Sequence, residues 1–100
     1  MNSNFAQLLS ADRRLVLLRI LDRAPGNEAN HYILREALDN MGHNVSHDTT
    51  LTELSWLQEQ GLVMLEDLGG TKVARLTGRG QDVALGRSLV SGVKKPVPGE

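Results

Sequence analysis

The chain has 100 residues, with 11 Lys and Arg against 12 Asp and Glu, three Phe, Trp or Tyr in all, and no cysteine. One domain is expected, with a core that buries roughly two thirds of the unfolded surface; the missing cysteine excludes disulfides, thiolate metal sites and a cysteine nucleophile. No run approaches the ~18 apolar residues of a membrane span and no signal-peptide pattern opens the chain, so a cytoplasmic protein without membrane contact is expected.

Taken in order, Met1 to Asn4 is expected to fray, and Phe5, Leu8 and Leu9 to form a lead-in turn packed on the body. Ser10 is a candidate N-cap for a first helix over 11–24, with Leu15, Leu18 and Leu21 on one face and Val16, Leu17 and Ile20 broadening it. Pro25-Gly26-Asn27 stops that helix, and a short strand is expected near Glu28. Asn30 can cap a second helix over 31–41, whose Ile33, Leu34, Ala37, Leu38 and Met41 would face inward, with Gly42 ending it.

A third helix follows, capped by Ser46 or Asp48, with Leu51, Leu54 and Leu57 along one face and Gly61 as its left-handed stop. Its join to the second helix by about four residues is the helix-turn-helix signature. Strands are expected over 62–66 and 72–76, with a glycine-bearing hairpin loop at 67–71. Thr77 caps a fourth helix from Gly78 to about Leu89, weak in propensity because glycine stands at 78, 80 and 86. Residues 91–100 read as a flexible basic tail following a domain over 1–90. The fold class is therefore mainly α with a small β hairpin, in the order helix, helix, helix, hairpin, helix.

Charge is unevenly spread along this order. Residues 43–70 hold five acidic side chains (Asp48, Glu53, Glu59, Glu66, Asp67) and no Lys or Arg, whereas residues 71–95 hold six basic ones against Asp82 alone. The imbalance matters because affinity for nucleic acid comes largely from cations set against phosphates.

The run Leu57-Gln-Glu-Gln-Gly-Leu-Val63, a glycine-tipped hairpin, and then Ala74-Arg-Leu-Thr-Gly-Arg-Gly80 resemble winged helix-turn-helix transcription regulators of the ArsR, MarR and PadR kind. The ending Ala84-Leu-Gly-Arg87 with Gly92-Val-Lys-Lys-Pro96 is similar to small ArsR-like proteins of Mu-type prophages. The resemblance covers about residues 10–90. It implies a dimeric regulator that binds double-stranded DNA, with helix 47–60 in the major groove and the wing 62–76 on the backbone. On that expectation Thr49, Thr50, Thr52 and Glu53 contact the groove or bases, Lys72 and Arg75 contact phosphates, and Leu85, Leu89 and Val90 form the dimer interface. Arg13, Arg14 and Arg35 could add phosphate contacts around the third helix, or belong to a solvated mixed-charge surface.

The chain departs from ArsR-type metal sensors in lacking cysteine, and its third helix lacks the cations usual on a recognition helix. The competing expectation is a winged-helix interaction module whose acidic helix 47–60 docks a protein partner without DNA contact. Which side Lys72, Arg75 and the first-helix arginines occupy discriminates the two.

His31, His43 and His47 with Asp48 could be tested as metal ligands, but surface or capping histidines are the simpler reading, and no metal or cofactor is expected. Trp56 is expected to pack under the wing or against the last helix, the alternative being a partly exposed protein contact. Gly78-Arg-Gly80 is too short for a nucleotide loop, and no catalytic motif is present, so no enzyme is expected.

Overall fold

The computed structural model describes residues 3–98, and its longest element is α1 (Ser3–Arg23). The break expected at Ser10 does not occur. Nothing between Ser3 and Arg23 is a Gly or Pro, so the helix runs on through Ser10 and Asp12. Phe5, Leu8 and Leu9 are therefore helical, but they remain exposed instead of packing on the body. Of the stretch expected to fray, Met1 and Asn2 lie outside the described residues. Burial begins only at Leu15 and continues through Val16, Leu17, Leu18 and Leu21.

Pro25–Asn27 forms a single 3-10 turn. The Asn27 side-chain amide donates to the Leu21 and Asp22 carbonyls at 3.2 and 3.0 Å, satisfying acceptors the end of α1 would otherwise leave open. The short β1 (Glu28–Asn30) follows, then α2 (His31–Asn40), where Asn30 Oδ1 accepts from the Ile33 amide at 2.9 Å. The inward stripe of α2 is His31, Leu34 and Leu38 at i, i+3, i+7. Ile33 lies off that stripe and Met41 follows the helix as its C-cap, so both, expected inside, are exposed.

Ser46 caps α3 (His47–Glu59), accepting from the Thr49 amide at 3.1 Å. Gln60 closes it and Gly61 turns out with φ +75, the left-handed backbone that favours glycine. The strands β2 (Val63–Leu68) and β3 (Thr71–Leu76) are longer than their hydrophobic residues suggest. Leu68 pairs with Thr71, so Gly69 and Gly70 alone make the turn. Asp67 Oδ1 accepts from the Gly70 amide at 2.8 Å inside it. β1 pairs antiparallel with β3, giving a three-stranded sheet in the order β1-β3-β2.

Thr77 caps α4 (Gly78–Ala84), accepting from the Gly80 amide at 2.9 Å. This helix stops five residues before the expected Leu89, because Leu85 closes it and Gly86 leaves the helical region with φ +80. Its Gly80 has a packing reason: a Cβ there would stand 2.0 Å from the Leu62 carbonyl oxygen. Among the described residues the fold is thus mixed α/β, four α-helices and one antiparallel sheet.

One core joins these elements: Val16, Leu17, Leu18 and Leu21 from α1, Leu34 and Leu38 from α2, Leu54 and Leu57 from α3, Leu62 just before β2 and Val63 at its start, Ala74 and Leu76 from β3, and Val83 and Ala84 from α4. Each fully covered leucine contributes about 1.5–3 kcal/mol of burial.

The segment expected as a flexible tail runs back over the body as far as it is described. Val90 and Val93 pack on the core, the Lys94 amide donates to the Ala11 carbonyl at 3.1 Å, and Lys94 Nζ lies 3.5 Å from Asp12. Gly99 and Glu100 lie outside the described residues.

Candidate functional site: the outward face of α3

α3 has two faces with different chemistry. Inward, Thr50, Glu53, Leu54 and Leu57 are buried. Thr50 is 0% exposed, and its hydroxyl donates to the Ser46 carbonyl at 3.0 Å. Glu53 is 4% exposed and clasped by two arginines of α1: Arg13 Nη1 reaches Oε2 at 2.8 Å and Arg14 Nε reaches Oε1 at 2.9 Å. A buried carboxylate needs such partners, because desolvation otherwise costs several kcal/mol. Arg14 also donates to the Gly92 carbonyl at 3.0 Å, and its guanidinium stacks 3.8 Å over the Trp56 ring. Trp56 is therefore half-buried, covered by Arg14, close to Gly92 of the 91–93 turn and packed against the core.

Outward, α3 presents Asp48, Thr52, Ser55 and Glu59, spaced i, i+4, i+7, i+11 along one exposed face. Thr49 lies at its edge, half-buried, its hydroxyl accepting from Ser46 Oγ at 3.1 Å. Exposed Gln58 is tied to the sheet, its Oε1 accepting from the Leu65 amide at 2.8 Å. Asp48 and Glu59 have no ion pair or side-chain hydrogen bond among the described residues, and the same holds for Glu36 and Asp39 on α2.

Four cations of α2, β3 and α4 have partners within the chain, those of Lys72 and Arg75 being exposed surface pairs. Lys72 Nζ lies 3.7 Å from Asp67 and Arg75 Nη2 lies 3.0 Å from Glu28. Arg35 Nε donates to His47 Nε2 at 3.2 Å, and Arg79 Nε to the Gln60 carbonyl at 3.1 Å. Of the expected groove and phosphate residues, Thr49 and Thr52 share the α3 surface and Lys72 and Arg75 sit on β3. Thr50 and Glu53 are occupied inside the protein. Leu85 and Leu89 of the expected dimer interface are exposed, whereas Val90 packs inward.

The histidines are not gathered into one site. His43 is buried and its Nε2 lies 2.7 Å from Asp12 on α1, while His47 turns toward Arg35. Among the described residues no group of three or more His, Asp or Glu is placed to hold a metal ion. Burial pushes the Asp12 pKa up, but the His43 hydrogen bond and the charges of His43 and Lys94 outweigh it, and the net shift is downward. His31, Tyr32 and His47 form a ring cluster beside the outward face, with centroids 4.1, 4.9 and 5.6 Å apart. Burial lowers the His31 pKa, His47 and Lys72 lower it further, and Asp67 opposes them. No helix among the described residues is long and apolar enough to cross a membrane.

Sequence reading missed the Arg13–Glu53–Arg14 clasp. Its signal was the spacing 50, 53, 54, 57, a helical stripe in which Thr50 and Glu53 sit one turn before Leu54 and Leu57.

No protein-family model matches the chain. It is 54% identical over 91 residues to the uncharacterized protein gp26 of Escherichia phage Mu, an alignment covering 91% of this chain and 94% of that one. It is 44% identical over 98 residues to an uncharacterized protein of Haemophilus influenzae, covering 97% of this chain and 94% of the relative. The chain belongs to the same protein family as phage Mu gp26, in accord with the Mu-type resemblance of its C-terminal residues.

Proposed function

We propose that this member of the phage Mu gp26 family is a winged helix-turn-helix module that docks a basic protein segment through the outward face of α3. The winged-helix reading is supported by the element order, by the short 41–46 connection between α2 and α3, and by the β1-β3-β2 sheet whose hairpin would be the wing. One observation carries the choice of partner. The exposed face of α3 has two unpaired carboxylates, Asp48 and Glu59, and no cation, while Arg13, Arg14, Lys72 and Arg75 are paired within the chain. A duplex brought to that face would meet like charge, whereas an Arg- or Lys-bearing segment would meet complementary charge.

Fluorescence polarisation with a labelled oligoarginine peptide tests this. Saturable binding that weakens with salt is expected, about tenfold or more weaker in Asp48→Lys/Glu59→Lys. Glu66→Lys, an exposed acid on the hairpin, should leave it unchanged. Equal loss in both variants would mean that overall charge is being read, not this face.

The second reading is a DNA-binding transcriptional regulator, with α3 in the major groove and the hairpin on the backbone. The outward hydroxyls of Thr49, Thr52 and Ser55 and the hairpin placement of Lys72 and Arg75 favour it. On that reading Thr49 and Thr52 contact bases, and Lys72 and Arg75 exchange Asp67 and Glu28 for phosphates. A Thr49→Ala/Thr52→Ala variant that loses duplex binding would support it.

A further inference from the structure

Of the 11 Lys and Arg side chains, most are engaged within the chain. Ion pairs hold Arg13, Arg14, Lys72, Arg75, Arg87 and Lys94, hydrogen bonds hold Arg35 and Arg79, and Arg19 has a partner as well. Among the described residues only Arg23 and Lys95 have none. These two line the same cleft, an open cavity of about 500 Å³ between the last turns of α1, residues 84–86 and residues 95–98. Arg19 and Arg23 stand at i, i+4 on α1, and Lys95 enters from the returning segment. Pro96 lies within van der Waals reach of Gly86, where a Cβ would stand 3.7 Å from it, so the returning segment closes one side of the cleft. Asp22, the one acid of the lining, accepts from the Gln81 amide at 2.8 Å.

We infer that this cleft binds a small organic phosphate, with the phosphate group on Arg23 and Lys95 and the organic body along Leu85, Pro96 and Val97. Three observations select this ligand class. A phosphomonoester carries a charge of about −2 near pH 7 and three strong acceptor oxygens, which matches two unpaired cations, one of them a guanidinium able to hold two oxygens at once. The volume falls within the roughly 300–1,000 Å³ of small-molecule sites, so room remains beside the phosphate itself. Beyond the charged residues the walls are apolar, and Leu85 and Val97 are left 47% and 50% exposed there.

A long polyanion fits the same cations less well. Strongly salt-dependent binding of nucleic acid takes a row of cations, about 6–10 phosphate contacts, and here the remaining cations have partners in a chain of net charge −1. A compact anion needs only the two that line the cleft. The cleft shares no residue with the outward face of α3, so this inference stands apart from the docking proposed there.

Amide chemical shifts of the full chain, titrated with adenosine monophosphate, inorganic phosphate, adenosine and succinate, test the assignment. Adenosine monophosphate should saturably shift the amides of Arg23, Leu85, Gly86 and Lys95. Inorganic phosphate should move the same amides with weaker affinity, and adenosine should not move them. Arg23→Ala/Lys95→Ala, two exposed positions, should weaken binding about tenfold or more with the fold intact by circular dichroism, whereas Lys72→Ala on β3 should leave it unchanged. No saturable shift up to about 10 mM adenosine monophosphate would overturn the inference. So would equal weakening in Lys72→Ala, which would show a response to overall charge. Succinate binding as tightly as adenosine monophosphate would reject phosphate as the recognised group. A duplex bound through Arg23 and Lys95 while adenosine monophosphate is ignored would replace the small ligand with a polyanion.

Discussion

The two faces of α3 put the same chemical group to opposite uses. Glu53, turned inward, is clasped by Arg13 and Arg14 and joins α3 to α1. Asp48 and Glu59, turned outward, have no partner among the described residues. The inward clasp bears on the outward face. Two arginines that could have brightened the surface around α3 are spent holding a buried carboxylate, and Lys72 and Arg75 answer Asp67 and Glu28 on the sheet. A helix can thus be packed firmly by its inward face and still present an acidic surface outward, because position follows from packing and chemistry from what faces out.

The largest expected effect lies on the inward face. Glu53→Ala leaves two largely buried arginines unpaired and should destabilise the protein by about 3–5 kcal/mol, read as a lower urea midpoint. A loss below about 1 kcal/mol would mean the clasp behaves as a surface pair. Next comes Gly92→Ala, at the turn close to Trp56. A Cβ there would lie 2.7 Å from Trp56 Cζ2 on a backbone with φ +97, so about 1–3 kcal/mol of strain is expected, together with a changed Trp56 fluorescence.

Acidification comes third. The folded pKa of His31 lies below its ordinary 6.5, so the unfolded chain takes up this proton first. The stability tied to His31 is full above pH 6.5 and falls as pH drops from there toward the folded value. Asp12 acts later, its folded pKa lying below 3.8, so its contribution is present above that pH and is lost as pH falls through the folded value. Urea midpoints at pH about 7.5 and about 5.5 should therefore differ less in His31→Gln than in the wild type. The smallest effect is expected on the outward face, where Asp48→Ala/Glu59→Ala should change stability by less than about 0.5 kcal/mol. A larger loss would show that the outward carboxylates support the fold.

Much of the fold was legible in the residues, and the misses have physical causes. Caps carry their own chemistry, so Asn30, Ser46 and Thr77 mark the starts of α2, α3 and α4, and each side chain accepts the expected amide. Gly61 likewise marks the exit from α3. Choosing the inward face was harder. Leu51, Leu54 and Leu57 suggest one stripe, but the core uses 50, 53, 54 and 57, a rotation of less than one residue step. Leu51 becomes half-buried and Thr50 and Glu53 go inside. A single helix does not reveal that a buried Glu is acceptable; that depends on Arg13 and Arg14, some 40 positions away. The return of the tail was hidden for a similar reason, since Gly92 and Lys94 dock on α1 through backbone groups that carry no side-chain signature. Of the candidate site, Thr49 and Thr52 were placed on the surface by spacing alone, whereas the pairing of Lys72 and Arg75 required the strand register.

Duplex binding tests the central claim most directly. The wild type and Asp48→Lys/Glu59→Lys are titrated against labelled mixed-sequence DNA at about 50 mM salt, where even non-specific binders are retained. The acidic-face account expects no binding by the wild type and its appearance on charge reversal. Salt-sensitive binding by the wild type, lost in Thr49→Ala/Thr52→Ala, would contradict it and assign α3 to the major groove.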